Sequence, residues 1–429
     1  MNLVLRWWLF VITIAATICA APLLANPSSA LDRLAVREIV EEDDLSGKGN
    51  RIAVLSEAAD LKHSLFSSSD ISVWRFPSSD SLDGSQPEQV DPLLLPEEWH
   101  GTHVAGILVG SCDDALRGIA CGATADVYDF GIYGDFFPMP VGSQVGEIEA
   151  DFLQRMQLSF NHARLQGTKI ANLSFNVEAP LISIKSSKPG AKSITTLIAE
   201  LGVPPDFLFE RRRELRANQA IILSHDQDWE DLSAIGQNHD DPSALILGLI
   251  LPLSREWHQM RGAVARFQAE GGIVIISEAN NRLMGRSGVL NTLPLQSEDV
   301  LASQWLSIVY VIEQQGEYVA QLNTCGMQAQ HFCIAVVAND VLSGAPEEDI
   351  IAKSGHSMAA PMVSGLVAVM VEKGRRNDPN FSTVKALCLI RQSVRTDFPN
   401  YDPTIHGVGV LDAPAALRSV EEDGSECDD

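Results

Sequence analysis

The chain has 429 residues, of which 45% are hydrophobic and 20% are charged, and this is the composition of a globular protein with ample material for a core. Its 31 Lys and Arg residues stand against 56 Asp and Glu residues, which gives a formal net charge of −25. Because like charges repel, so acidic a protein is a poor candidate for binding nucleic acid or an anionic membrane. We interpret the charge as a contribution to solubility.

The N-terminus has the features of a secretory signal peptide. Arg6 precedes an uncharged run from Trp7 to Ala25, and small residues follow. This pattern predicts a signal peptide over residues 1–25, with cleavage after Ala25 or Ala30. The run is also long enough for a retained membrane anchor, which is the alternative. We therefore expect an exported protein, periplasmic or extracellular, with no stable membrane insertion after cleavage.

Export changes the interpretation of the cysteines. Six remain once the signal peptide is removed, and six cysteines allow 15 pairings among which sequence alone does not choose. A metal site is the rival interpretation, but no CxxC or HxxxH spacing supports one, so we expect no metal. The spacing favours two local disulfides and one that ties the acidic tail to the body: Cys112–Cys121, Cys325–Cys333 and Cys388–Cys427.

Strand and helix patterns alternate along the chain. This alternation predicts an α/β fold with a mostly parallel sheet that is covered by helices on both faces. The predicted strands lie at 51–55, 125–133, 168–176, 273–277 and 332–340. The predicted helices lie at 149–167, at 254–272, from about Ser357 onwards and at 382–394.

The predicted organisation is one large domain with additions. A short N-terminal segment at 26–45 precedes the domain, which spans 46–420, and an acidic tail follows at 421–429. Residues 66–98 are rich in Ser, Asp and Pro and predict an extended surface loop. Residues 177–254 carry a charged stretch and two apolar runs outside the alternating pattern, so we interpret them as an insertion within the domain.

One short stretch suggests a nucleophile. Residues 354–365 read "SGHSMAAPMVSG" and lead into an apolar run, which predicts a buried helix that begins near Ser357. The start of a helix has unpaired N–H groups and the positive end of the helix dipole, and both would stabilise an oxyanion. From these residues alone, Ser357 is either a nucleophile or an ordinary serine at a buried helix start.

A second stretch offers a base for that nucleophile. Residues 99–110 read "WHGTHVAGILVG", in which His100 precedes a Gly-Thr turn and a helix is predicted from about His103. Together, "HGTHVAG" and "GHSMAAPMVSG" resemble the subtilisin-like serine proteases, the subtilase family. The resemblance implies a subtilisin-like three-layer α/β fold, with His100 as the general base and Ser357 as the nucleophile.

The resemblance covers roughly residues 50–418 apart from the insertion. "GGIVIISEANN" is similar to the family strand that ends in an oxyanion-hole asparagine, which implies that role for Asn280. "KIANLSFN" is similar to the strand whose edge lines the substrate groove, which implies that Ser174 and Phe175 contact the peptide. "CGMQAQHFCIAVVA" resembles a disulfide loop of secreted members and supports the Cys325–Cys333 pairing.

The third member of the family's triad is missing. "IAVLSEAADLKHSLF" resembles the segment that carries the family's aspartate, but Ser56 stands at that position. Three interpretations are open: Ser56 accepts a hydrogen bond from the imidazole, Glu57 acts as the acid, or the site is inactive. Losing the acid of such a triad lowers turnover by about 10⁴. His356 stands where the family usually has threonine, either as a tolerated substitution at the cleft edge or as a cation that makes activity pH-dependent.

The predicted activity is hydrolysis of peptide bonds in peptides or proteins by a serine endopeptidase that needs no cofactor. The alternative is a pseudoprotease that binds peptides or a partner protein in the same groove without cleaving them. An esterase of the α/β-hydrolase type fits less well, because its histidine follows the serine and only His406 follows Ser357.

Overall fold

The computed structural model describes residues 27–76, 87–90, 99–130, 145–175, 255–278, 290–296, 299–421 and 427. The predicted signal peptide and the predicted insertion lie outside these residues. No helix within them is long and apolar enough to cross a membrane.

The strands of the described residues form one large sheet and a separate hairpin. In the large sheet the order is β12-β13-β9-β7-β6-β5-β1-β4-β2-β3, with β8 on β7, and the hairpin pairs β10 with β11. The strands are β1 (Arg51–Ser56), β2 (Asp70–Arg75), β3 (Glu88–Gln89), β4 (Thr124–Asp129), β5 (Ile170–Leu173), β6 (Ile273–Ser277), β7 (Trp305–Gln314), β8 (Glu317–Ala320), β9 (Cys333–Val337), β10 (Val341–Ala345), β11 (Asp349–Lys353), β12 (Val394–Arg395) and β13 (Val410–Leu411).

The centre of the large sheet is parallel. β1 pairs in parallel with β4 on one side and with β5 on the other, and β2, β6, β7 and β9 continue the parallel pairing outwards. Because the carboxyl ends of parallel strands share one edge of the sheet, the residues that follow β1, β5 and β6 lie at the same edge. The sequence places Ser56, Ser174 and Glu278 there.

Helices cover both faces of the sheet, as predicted. The helices are α1 (Ala30–Arg33), α2 (Arg37–Glu42), α3 (Trp99–Val109), α4 (Val145–Leu165), α5 (Arg255–Ala269), α6 (Leu293–Gln296), α7 (Gly326–Ala329), α8 (His356–Arg375), α9 (Thr383–Gln392), α10 (Pro403–His406) and α11 (Ala413–Ser419).

The strand β1 shows how the core divides into two layers. Ile52 and Val54 pack in a cluster with α3 and α8, whereas Ala53 and Leu55 pack in a cluster with α4 and α5. Successive side chains of a strand point to opposite faces, so β1 is apolar on both sides because both sides are covered. The α/β fold with helices on both faces is confirmed.

Two local predictions were wrong. Residues 66–98 were predicted to form a loop, but β2 and β3 lie within them. Of β2 only Val73 is buried, so the strand shows little of the apolar character that identifies central strands. The helix predicted from about His103 begins at Trp99, which places His100 in its first turn.

All three predicted disulfides are present in the structure: Cys112–Cys121, Cys325–Cys333 and Cys388–Cys427. The third joins α9 to Cys427 near the end of the chain. At the other end, α1 and α2 bury Leu31 and Val40 in the cluster that contains α3 and α8. Both ends of the described chain are therefore attached to the body.

Candidate active site

Ser357 lies at the start of a long buried helix. It is the second residue of α8 and 5% exposed, and Gly355 precedes the helix with a φ of 151°. That φ is in a region that favours glycine, because a side chain would be strained there. The first turn of a helix leaves backbone N–H groups without helical acceptors, and Ser357 lies in that turn of α8.

His100 is brought to the sheet edge by a close helix–backbone contact. A Cβ atom at Gly101 would lie 2.2 Å from the carbonyl oxygen of Ala58 and 2.3 Å from that of Glu57. Only glycine permits this approach, so the "HGTH" glycine allows the first turn of α3 to rest on the segment after β1. His100 itself is 2% exposed.

Ser56 lies against the imidazole of His100. The Ser56 Oγ atom is 3.2 Å from His100 Nδ1, and both side chains are buried. A proton on Nδ1 would be donated to Ser56, which would leave Nε2 able to accept a proton. This geometry supports the first of the three interpretations of the missing acid. Glu57 is also buried, one residue beyond the end of β1.

Burial lowers the pKa of His100 to about 3, with the neighbouring His103 as a second cause. Desolvation disfavours the charged imidazolium, and Ser56 carries no charge to offset it. A triad aspartate would act in the opposite direction. His100 in this structure is therefore neutral at pH 7 and a weak base.

A hairpin connects the helix of His100 to the helix of Ser357. His103 Nε2 lies 3.2 Å from the Ile351 carbonyl oxygen, and the Ser343 hydroxyl donates to the His103 carbonyl at 2.9 Å. His63, which follows β1, lies with Nε2 3.1 Å from the Asp349 carbonyl oxygen. The hairpin β10–β11 thus bonds to α3 and to the segment after β1 immediately before α8 begins.

A buried polar chain joins the end of β5 to α8. Asn172 Nδ2 donates to Ser174 Oγ at 2.9 Å, and the Ser174 hydroxyl donates to the carbonyl oxygen of Ser357 at 3.1 Å. Ser364 Oγ donates to Asn172 Oδ1 at 3.0 Å. Asn172 and Ser364 were not predicted from the sequence, although each is a polar residue inside an apolar run, "IANLSF" and "MVSGLV".

Phe175 lies in an aromatic cluster beside this chain. Its ring centroid is 5.1 Å from that of Phe130 and 5.4 Å from that of Phe152, and Phe175 is buried. Ser174 is buried as well. Contact between these two residues and a substrate stays a prediction, because their described contacts are with the protein itself.

His356 is not at the cleft edge. It is fully buried, and its Nδ1 accepts a hydrogen bond of 2.8 Å from the backbone N–H of Tyr310. Tyr310 lies on β7 two residues beyond Ile308, which is the last residue of β7 that pairs with β6. The imidazole of His356 therefore takes the place of a backbone acceptor on the neighbouring strand. Burial lowers the pKa of His356 to about 3. A cationic imidazole at this position is therefore excluded near neutral pH, because the side chain is desolvated.

Asn280 lies outside the described residues, two positions after Glu278. Glu278 is buried and accepts hydrogen bonds from the side-chain amides of Asn291 and Asn323, the latter at 3.4 Å. These bonds anchor the chain just before Asn280, whose role stays a prediction. Within the ranges that the structure describes, no group of His, Cys, Asp and Glu residues could hold a metal ion.

Comparison with known proteins identifies the family and the fold. The family model described as "Subtilase family" matches residues 47–404. No curated protein matches the chain.

Several solved structures share the fold. The prenylagaramide maturation protease PagA is 18% identical, with 86% of this chain and 94% of that chain covered and a TM-score of 0.53. The PatG macrocyclase in complex with a peptide is 12% identical, with 93% and 100% covered and a TM-score of 0.56. Fervidolysin from Fervidobacterium pennivorans is 17% identical, with 91% and 45% covered and a TM-score of 0.52.

Proposed function

Because the chain belongs to the subtilase family, whose members are serine peptidases, we propose that it is an exported serine endopeptidase. In this proposal Ser357 is the nucleophile, His100 the general base and Asn280 an oxyanion-hole donor. The observation that carries the proposal is the 3.2 Å contact between Ser56 Oγ and His100 Nδ1. It orients the imidazole as a triad does, although an alcohol replaces the acid.

The reaction is an acyl transfer in two stages. His100 Nε2 takes the proton of the Ser357 hydroxyl while the oxygen attacks the carbonyl carbon of the scissile peptide bond. The backbone N–H of Ser357 and the Asn280 amide stabilise the oxyanion; losing one such donor lowers turnover by about 10²–10³. His100 then returns the proton to the leaving amine, and water hydrolyses the acyl-enzyme by the same route.

The neutral partner of His100 weakens this base. Replacing the acid of a triad lowers turnover by about 10⁴, which corresponds to about 5–6 kcal/mol of transition-state stabilisation. A residual acceleration over the uncatalysed reaction remains, because the nucleophile and the oxyanion donors are retained. We therefore propose a slow peptidase.

The second candidate function is peptide binding without cleavage. The observation that favours it is that an uncharged Ser56 stands where the family has an acid. An extended peptide would add as a further strand beside the segment that ends in Ser174 and Phe175, and this pairing needs no catalytic group. Export is proposed for both functions, and three disulfides are compatible with an oxidising compartment.

The test is labelling of the mature protein with a fluorophosphonate probe, which reacts only with an activated serine. We expect slow labelling of the wild type, none of Ser357→Ala, and much faster labelling of Ser56→Asp. Wild-type labelling that survives in Ser357→Ala would contradict the assignment of the nucleophile. Labelling that occurs only in Ser56→Asp would contradict the peptidase proposal and would favour peptide binding without cleavage.

A further inference from the structure

The start of α8 is bonded to the sheet through the residues before and after His356. The Gly355 N–H group donates to the carbonyl oxygen of Ala338, which follows β9, at 3.4 Å. The carbonyl oxygen of Ser357 accepts from Ser174, which follows β5, at 3.1 Å. Both contacts use the main chain of α8 or of its cap, and the side chain of His356 adds a third contact between them.

This third contact fills a gap in the hydrogen-bond ladder of β7. Pairing between β6 and β7 ends at Ser277 and Ile308, and Tyr310 lies two residues further along β7. The buried N–H group of Tyr310 donates to His356 Nδ1 at 2.8 Å. A buried N–H group without an acceptor is unfavourable. The imidazole therefore supplies the acceptor that β6 does not reach far enough to provide.

The bond also fixes the tautomer of His356. Because Tyr310 donates to Nδ1, the proton of the neutral imidazole is on Nε2. Burial keeps the imidazole neutral by lowering its pKa to about 3. The Tyr310 ring lies edge-on to it, with ring centroids 5.6 Å apart and an angle of 70° between the planes. Within the described residues Nε2 has no hydrogen-bond partner, so the imidazole holds α8 to the sheet through Nδ1.

We propose that His356 is a positioning residue for Ser357, because its bond to Tyr310 sets where the first turn of α8 begins. His356 and Ser357 are the first two residues of the helix, so a displacement of one moves the other. A nucleophile is sensitive to such a displacement, since a misplacement of about 1 Å can lower a rate about 10²-fold. The role of His356 in turnover rests on the proposed peptidase activity.

A contribution to stability alone is the competing explanation, and the chain contains a matched control for it. His406 is also fully buried and also bonds to the main chain of a strand, since its Nε2–H group donates to the Tyr318 carbonyl oxygen at 2.8 Å. It lies on α10, which carries none of the proposed catalytic residues. His406→Leu therefore removes a comparable buried bond from an element other than α8.

Two substitutions of His356 separate the hydrogen-bond acceptor from the volume of the side chain. His356→Leu keeps a side chain of similar size and removes the acceptor. His356→Asn places an acceptor oxygen on Cγ, where the imidazole has Nδ1, and removes the titrating group. A role that depends on the bond to Tyr310 is therefore retained in the second variant and lost in the first.

The first measurement is amide hydrogen exchange of the full mature chain near neutral pH, which requires no turnover. The N–H groups of Met358 and Ala359 report on the first turn of α8, because they donate to the Gly355 carbonyl oxygen at 3.1 and 3.2 Å. We expect His356→Leu to speed their exchange about tenfold or more, and His356→Asn and His406→Leu to leave it near the wild-type rate. Unchanged exchange in His356→Leu, or equal acceleration in His406→Leu, would overturn the proposal.

The second measurement is the rate at which a fluorophosphonate probe labels Ser357. We expect His356→Leu to lower this rate about tenfold, His356→Asn to restore most of it, and His406→Leu to leave it near the wild-type rate. Equal losses in the two leucine variants, or no recovery in His356→Asn, would overturn the positioning role.

Two outcomes need a second variant or a second readout. If His356→Leu does not fold, His356→Ala removes the acceptor with a smaller side chain and takes its place in both measurements. If the wild type is not labelled, the proposed peptidase activity fails, and the exchange of the Met358 and Ala359 amides alone decides whether His356 positions the start of α8.

Discussion

The hydroxyl of Ser174 donates a hydrogen bond to the main-chain carbonyl of Ser357, so the residue after β5 fixes the backbone at the start of α8. The bond is buried, and Ser174 also accepts from Asn172. The position of the Ser357 hydroxyl therefore depends on a polar chain that starts in the centre of the sheet.

We expect Ser174→Ala to destabilise the protein by about 1–3 kcal/mol, because it leaves the buried amide of Asn172 without this acceptor. Urea unfolding of the mature chain measures the change. Ser303→Ala removes a hydroxyl at an exposed position and should change the free energy of unfolding by less than about 0.5 kcal/mol. Equal effects of the two substitutions would show that the polar chain does not stabilise the site.

Gly101→Ala should displace α3 or prevent folding. The added methyl group would lie within 2.3 Å of two carbonyl oxygens that belong to the main chain, which cannot move as a flexible side chain can. We expect a loss of more than about 3 kcal/mol, measured by thermal and urea unfolding.

The control for Gly101 is Gly262 in the middle of α5, where the nearest atom to an added Cβ is 3.4 Å away on the Arg266 side chain. Gly262→Ala should raise stability by about 0.5–1 kcal/mol, because alanine is the better helix former. A mild effect of Gly101→Ala would argue against the close approach of α3 to Ala58.

Stability should fall steeply in acid because of buried histidines. Burial lowers the pKa of His100 and His356 to about 3 and that of His103 to about 4. The unfolded state binds these protons near pH 6.5, so it holds more protons than the native state between about pH 3 and 6.5. The free energy of unfolding therefore rises with pH across this window. The stabilisation that comes from keeping these histidines neutral is complete above pH 6.5.

His356→Thr should flatten this dependence by up to about 1.4 kcal/mol per pH unit, since one titrating group is removed. The measurement is the free energy of unfolding at several pH values from 4 to 7. Ser303→Ala at an exposed position removes no titrating group, so it is the control and should leave the slope unchanged. An unchanged slope in His356→Thr would mean that His356 is not buried as a neutral side chain.

The disulfide at the C-terminus should stabilise the fold more than the short local one. Cys388–Cys427 closes a loop with a sequence separation of 39, and Cys112–Cys121 one with a separation of 9. In the chain-entropy account, stabilisation grows with loop length, from about 3 kcal/mol at 15 residues to about 4.7 kcal/mol at 100. We expect the double alanine variant of the long loop to lose about 1 kcal/mol more in urea unfolding. A larger loss for Cys112 and Cys121 would indicate that native packing, not loop closure, dominates.

Much of the site was predictable because it lies in short contiguous motifs. "HGTH" and "GHSMAAP" drew attention to His100 and Ser357, and the resemblance of the β1 segment predicted Ser56 at the position of the family's aspartate; the structure places Ser56 against His100. The cysteine spacing favoured the three disulfides that the structure contains, although it did not by itself exclude the other pairings.

The rest depends on contacts between distant segments. β6 ends before it can pair with Tyr310 of β7, and the buried His356 accepts the hydrogen bond of the Tyr310 N–H group instead. No local sequence pattern reveals this contact. The pairing of Asp129 with Arg75 depends on the strand order β1-β4-β2, and "ADVYDF" alone does not reveal it. The β10–β11 hairpin was missed as well, since "VLSGAPEEDIIAK" lacks a continuous apolar run.

The bonds from that hairpin to His103 and His63 have a consequence for dynamics. The hairpin connects directly to α8, which carries Ser357, and bonds to α3, which carries His100. Opening the hairpin would release His100 and Ser357 in a single step. Amide hydrogen exchange should therefore show the N-terminal halves of α3 and α8 losing protection together, at a lower free energy than the central strands. The proposed activity would then be lost on mild heating while the sheet is still intact.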